Sequence, residues 1–159
     1  MKTIMKGQWI RGVMMMLLLA GTVRADGRGF GIGIILGEPT GVSFKKWVSD
    51  SNAYAAALGW SFIGDTAAIN MHIDYLWHDH KILQGKENAL SEISLFYGLG
   101  GRFKMAGQTQ VGLRIPLGIN YQAVKSPLEV FLEIVPILNL TPSTTFNVNG
   151  GLGVRLYFQ

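Results

Sequence analysis

The stretch Trp77-His78-Asp79-His80 holds the side chains of this chain best suited to chemistry. Residues two apart on an extended strand share a face, so His78 and His80 would stand together as a metal pair. A metal site needs at least three protein ligands, and His72 or Asp74 would have to join them. The plainer reading, adopted here, makes these residues polar groups of an interior and a strand end, with no metal and no cofactor expected. A second chemistry would set His72 or His78 beside Asp74 and either Ser61 or Ser94, as base, acid and nucleophile of a lipid-modifying enzyme. Such a set requires nucleophile and base within hydrogen-bond reach, and nothing in the spacing of these residues brings them together. The chain is therefore read as not an enzyme. GFGIG at 29–33 imitates a phosphate-binding loop, but no helix follows it.

The elements that position these residues show alternation of period two from Asp26 onward. Eight strands are expected, at Gly29–Leu36, Val42–Val48, Ala53–Phe62, Ala68–His78, Ile93–Met105, Thr109–Ala123, Leu128–Leu140 and Phe146–Phe158. The connections between them are mostly short turns such as GEPTG, IGDTA and AGQ, which make neighbouring strands antiparallel. The longest connection is Asp79 to Glu92. Eight is a small number for a closed barrel, and closure removes exposed edges. Pro116 and Pro136 interrupt two of the strands where a closed barrel has no edge to hide a missing N–H. Folding about Lys125-Ser126 places the two prolines nearly opposite, so a shared bulge or kink is expected there.

Residues 1–25 read as a cleaved secretory signal. Lys2, Lys6 and Arg11 form a basic region, Val13 to Ala20 an apolar run too short to span a bilayer, and Val23-Arg24-Ala25 a cleavage pattern. Residues 26–159 are then one domain. Removing Lys2, Lys6, Arg11 and Arg24 from the 14 Lys and Arg leaves ten, against 10 Asp and Glu. The basic character belongs to the leader, and nucleic acid is not an expected partner. The chain has no cysteine, so disulfides do not hold it together.

Which face of the strands is wet decides the class. One face is bulky, uncharged and continuous, with Tyr54, Trp60, Tyr75, Trp77, Tyr97 and Tyr121 near strand ends, where an aromatic girdle would lie. The other is glycine and alanine with a few charges, a poor cover against water but a good filling for a narrow barrel. The expected arrangement is lipid outside and a packed polar interior of His72, Asp74, Arg102, Arg114, Glu129, Glu133 and Arg155. Unpaired buried ions are costly. Arg114 and Arg155 are therefore expected to contact Glu133 and Glu129, with Arg102 and His72 lying towards Asp74.

GIGIILGEPTGVSFKKWVS, INMHIDYLWHDH, LRIPLGINY and FLEIVPILNLTPSTTFNVNGGLGVRLYF resemble a family of small bacterial outer-membrane proteins, related in architecture to the eight-stranded OmpA and OmpX type barrels. The resemblance covers nearly all of residues 29–158, and GEPTG and the PILxLTP segment are its most specific parts. It implies an outer-membrane location and carries over no catalytic residues. The last strand, with Leu152, Val154, Leu156 and Phe158, looks like the signal read by the barrel-assembly machinery, departing from it by the added Gln159.

The expected protein is an eight-stranded, antiparallel, up-and-down transmembrane β-barrel in the outer membrane, preceded by a cleaved signal. Its interior is filled and non-conducting, and its role is structural or surface-interacting through loops such as GEPTG, IGDTA and LTPSTT. Its partners are outer-membrane lipid, the assembly machinery and an extracellular ligand of unknown kind. The alternatives are the lipid-modifying enzyme and a soluble, lipocalin-like periplasmic barrel that binds an apolar ligand.

Overall fold

The computed structural model describes residues 29–61, 68–80, 92–123 and 126–158. The leader, IGDTA, most of the long connection after Asp79, the Ser61 side chain and Gln159 lie outside the described residues. The alternating segments form strands throughout, because alternation gives each strand one face to bury. They are β1 (Phe30–Gly37), β2 (Thr40–Trp47), β3 (Asn52–Ser61), β4 (Ala68–Asp79), β5 (Ile93–Met105), β6 (Thr109–Arg114), β7 (Leu117–Gln122), β8 (Leu128–Thr141) and β9 (Thr145–Phe158).

All pairings are antiparallel and belong to one sheet, ordered β4-β3-β2-β1-β9-β8-β6-β5-β7, with β4–β5 and β7–β8 pairings joining its ends. A path that leaves β9 at Leu156 passes through Ile32, Phe44, Ala56, Ile73, Gly101, Leu113 and Leu138. It returns to β9 at Phe146, ten residues from where it left. A sheet staggered in this way curls with its strands tilted, typically by about 35–45°.

Among the described residues the strand count is nine, not the expected eight. The expected strand 109–123 is broken at Ile115-Pro116, because proline cannot donate to the ladder. The expected bulge is not at the prolines. Arg114 pairs with Ile137 and Leu117 with Ile134, so the register keeps step across the break. Ile115 N donates to Pro136 O at 3.0 Å, and Gly98 N to Pro116 O at 2.9 Å. β6 and β7 thus share one place between β5 and β8. The register shift lies between Val111 and Gly112 instead.

The faces divide as the alternation predicts. Leu113, Leu132 and Val154 are 47%, 50% and 37% exposed, whereas Arg114, Glu133 and Arg155 are buried. Tyr54, Tyr75, Trp77 and Tyr97 form a chain of ring contacts with centroids 4.9–5.7 Å apart. They lie towards the end of the sheet that also holds Phe30, Phe158, Asp79 and Ile93. Trp60 stands near the other end, outward and exposed.

Inside, the bulky side chains fit over glycines. An added Cβ at Gly118 would meet the Phe96 ring, at Gly153 the Phe131 ring, and at Gly151 the Ile35 side chain. Ile35, Ala55, Ala57, Leu76, Phe96 and Phe131 form one buried apolar cluster. The glycines therefore supply the volume that lets a narrow interior be filled to native density.

Candidate functional site

The interior ions fall into two groups. The first centres on Glu129, fully buried on β8. It accepts from Arg155 Nη1 at 2.7 Å, from Lys45 Nζ at 3.1 and 3.3 Å, and from the Tyr157 hydroxyl. Arg155 is its register neighbour on β9, whereas Lys45 reaches it from β2. Lys45 Nζ also donates to His78 Nε2 at 2.9 Å and lies 4.3 Å from the Trp47 ring centre. The second group centres on Arg114, whose Nε donates to Asp74 at 2.9 Å and whose Nη2 lies 3.4 Å from Glu133. His72 Nε2 stands 3.7 Å from Asp74. Between Glu129 and Glu133 on the same inner face of β8 comes Phe131, with the Arg155 guanidinium 3.7 Å over its ring.

One rule places the three interior arginines: each reaches over a glycine to the strand beyond. Arg114 stands opposite Gly100, which stands opposite Asp74. Arg155 stands opposite Gly33, which stands opposite Ser43, and Arg155 Nε donates to Ser43 Oγ at 2.9 Å. Arg102 stands opposite Gly112, which stands opposite Asn139, and Arg102 Nη2 donates to Asn139 Oδ1 at 2.8 Å. A Cβ at Gly100 would collide with the Asp74 carboxylate, and one at Gly112 would press on Asn139 Oδ1. Cross-strand neighbours are about 5 Å apart, so an arginine spans two strands only if the middle position is empty.

The expected network is brought together in part. Arg155 meets Glu129, Arg114 meets Glu133, and His72 lies beside Asp74. Arg102 is a correction. Its guanidinium is bound to Asn139 and, at 3.1 Å, to Gln110 rather than to Asp74, because Gly112 opens the way towards β8 while Arg114 takes the carboxylate. Sequence reasoning missed Lys45, Ser43 and Tyr157. The signal was there in the parity of β2, where Ser43 and Lys45 alternate with Val42 and Phe44, and of β9, where Tyr157 shares a face with Arg155.

The chemistry-bearing residues are placed as follows. The His78 and His80 rings lie 6.3 Å apart, but His78 Nε2 holds the Lys45 ammonium and His80 Nε2 lies 3.1 Å from the Asp50 carbonyl. Among the described residues no three His, Cys, Asp or Glu side chains are grouped as metal ligands would be. Ser94 is buried opposite Asn120, whereas His78 lies opposite Phe96 and His72 opposite Arg102. On β9, Leu152, Val154 and Phe158 are exposed on the outer face and Leu156 is half-buried there.

A family model described as "Protein of unknown function (DUF3996)" matches residues 24–158, which takes in every strand and the whole ionic interior. The chain belongs to the DUF3996 family. No curated protein and no solved structure matches it. The matched range includes all nine described strands.

Proposed function

We propose that the chain is an integral outer-membrane β-barrel with a filled, non-conducting interior and a structural or surface-interaction role. One observation carries the reading: large apolar side chains cover the outside while Lys45, Asp74, Arg114, Glu129, Glu133 and Arg155 are buried within. Water is a poor solvent for such an exterior, and exposed apolar patches of this extent mark contact with lipid or protein. Pairing around the ring satisfies the backbone along most of the described strands, as hydrocarbon requires. Aromatic rings collect near one end of the sheet, as they do at a membrane interface. Ionic groups on both sides of Phe131 support a filled interior over an open channel. Membrane lipid is then the partner of the outer face, and the outward series Leu152, Val154, Leu156 and Phe158 is available to the barrel-assembly machinery. The turns around Gly37–Thr40 and Pro142–Thr144 would meet the cell's surroundings.

Membrane fractionation with heat-modifiable gel mobility tests this reading. The account expects the chain in the outer-membrane fraction, migrating faster unheated than boiled, and silent in planar-bilayer conductance. Recovery in the soluble periplasmic fraction, or steady channel currents from the purified protein, would contradict it.

A further inference from the structure

The wall of the sheet is uneven at the end away from Phe30 and Phe158. β1 stops at Gly37, opposite Gly151, but β9 begins at Thr145 and pairs with β8 out to Asn139. Among the described residues, Thr145–Gly150 thus have a strand on one side only. On the other, among the described residues, the β1–β2 turn touches only their base, where Glu38 N donates to Gly150 O at 3.0 Å and Asn149 Nδ2 to Glu38 O at 3.1 Å.

Backbone groups of alternate residues face alternate neighbours in an antiparallel strand. The Gly150 carbonyl faces the β1 side, so the N–H and C=O of Val148 and Phe146 face that side too, with no strand there to receive them. Their side chains point outward, and Phe146, at 66%, is the most exposed large apolar residue described. Thr145–Gly150 contain no charge and no proline, the usual protections of an open edge.

We propose that this edge of β9, above the β1–β2 turn, receives an extended polypeptide segment of a partner, added as a strand in line with β1. The proposal rests on the outer-membrane reading. β1 and β2 have 8 residues each, whereas a membrane-spanning strand needs about 9–11. The Val148–Phe146 edge therefore stands where the wall falls short, close to hydrocarbon that cannot satisfy its backbone. Donors and acceptors recurring at every second residue match only another extended backbone. The incoming strand would continue the β1–β9 ladder. Its apolar side chains would lie beside Phe146 and Val148, and its polar ones beside Asn147 and Asn149. A second copy does not fit. Two barrels in one membrane, related by an axis along its normal, would cross their tilted β9 strands at about 80°, twice the usual tilt, and form no ladder.

The test uses the full chain folded into phospholipid nanodiscs, with an end-capped, fluorescein-labelled octapeptide of alternating Val and Thr as probe. Fluorescence anisotropy should show binding to the wild type and none for the same peptide N-methylated at its Val residues. Val148→Pro removes an N–H that β8 does not use, so its heat-modifiable mobility should match wild type while peptide affinity falls roughly tenfold or more, as loss of one or two backbone hydrogen bonds implies. Equal binding by Val148→Pro, equal binding of the N-methylated peptide, or no binding to folded wild type would overturn the proposal. A dimer abolished by Val148→Pro would assign the edge to a second copy and overturn it too. A wild-type chain that never enters the nanodisc as the fast-migrating form would remove the membrane reading, and this inference with it.

Discussion

Glu129, fully buried, holds two cations and a phenol. Arg155, Lys45 and Tyr157 all converge on it, Arg155 and Tyr157 from β9 and Lys45 from β2. Removing one member of a buried ion set leaves its partners charged and unsolvated, which costs about 3–5 kcal/mol. Glu129→Ala should therefore destabilise the folded chain by about that amount, read as a lower urea midpoint in detergent micelles by tryptophan fluorescence. The triple change Lys45→Met, Glu129→Leu, Arg155→Met removes all three charges together and should cost less than the three single changes summed. A single Glu129→Ala cost below about 1 kcal/mol, the range of an exposed pair, would mean that the carboxylate is solvated and the interior wet.

At the scale of strands, the break at Ile115-Pro116 is a defect in the ladder without a defect in register. Pro136 accepts from Ile115 N but returns no donor to it. Pro136→Val restores that donor in an extended backbone and should stabilise the sheet by about 0.5–1.5 kcal/mol, the net worth of one hydrogen bond. Amide exchange at Arg114 and Leu117 should slow. Faster exchange there would show that Pro136 is needed for packing. The alternation in the sequence exposed the strands and their faces because an inward residue and an outward one meet opposite surroundings at every step. It exposed the meetings of Arg155 with Glu129 and of Arg114 with Glu133, but not those of Lys45 or Arg102. Lys45 and Glu129 are far apart in the chain, and their contact depends on the stagger that accumulates around the ring. Arg102 went to Asn139 because Gly112, and not a side chain, stands between them. Register decides that, and register is weakly written where one face is mostly glycine.

At the scale of the molecule, the inside and outside of an ordinary soluble sheet protein are exchanged. The described interior carries Lys45, Arg102, Arg114 and Arg155 against Asp74, Glu129 and Glu133, and the apolar cluster containing Phe96 and Phe131 lies among them. The exterior carries the leucines, isoleucines and aromatics that would otherwise form a core. The chain has no cysteine, so single cysteines introduced along β8 can each carry one nitroxide label. The decisive measurement is electron paramagnetic resonance of such labels in bilayers, comparing collision with oxygen, which concentrates in hydrocarbon, and with a water-soluble nickel chelate. Labels at Leu132, Ile134 and Leu138 should be accessible to oxygen and shielded from nickel, and labels at Phe131 and Val135 should be immobile and reached by neither. Nickel access at Leu132 and Ile134 equal to that of a free aqueous label would contradict the account.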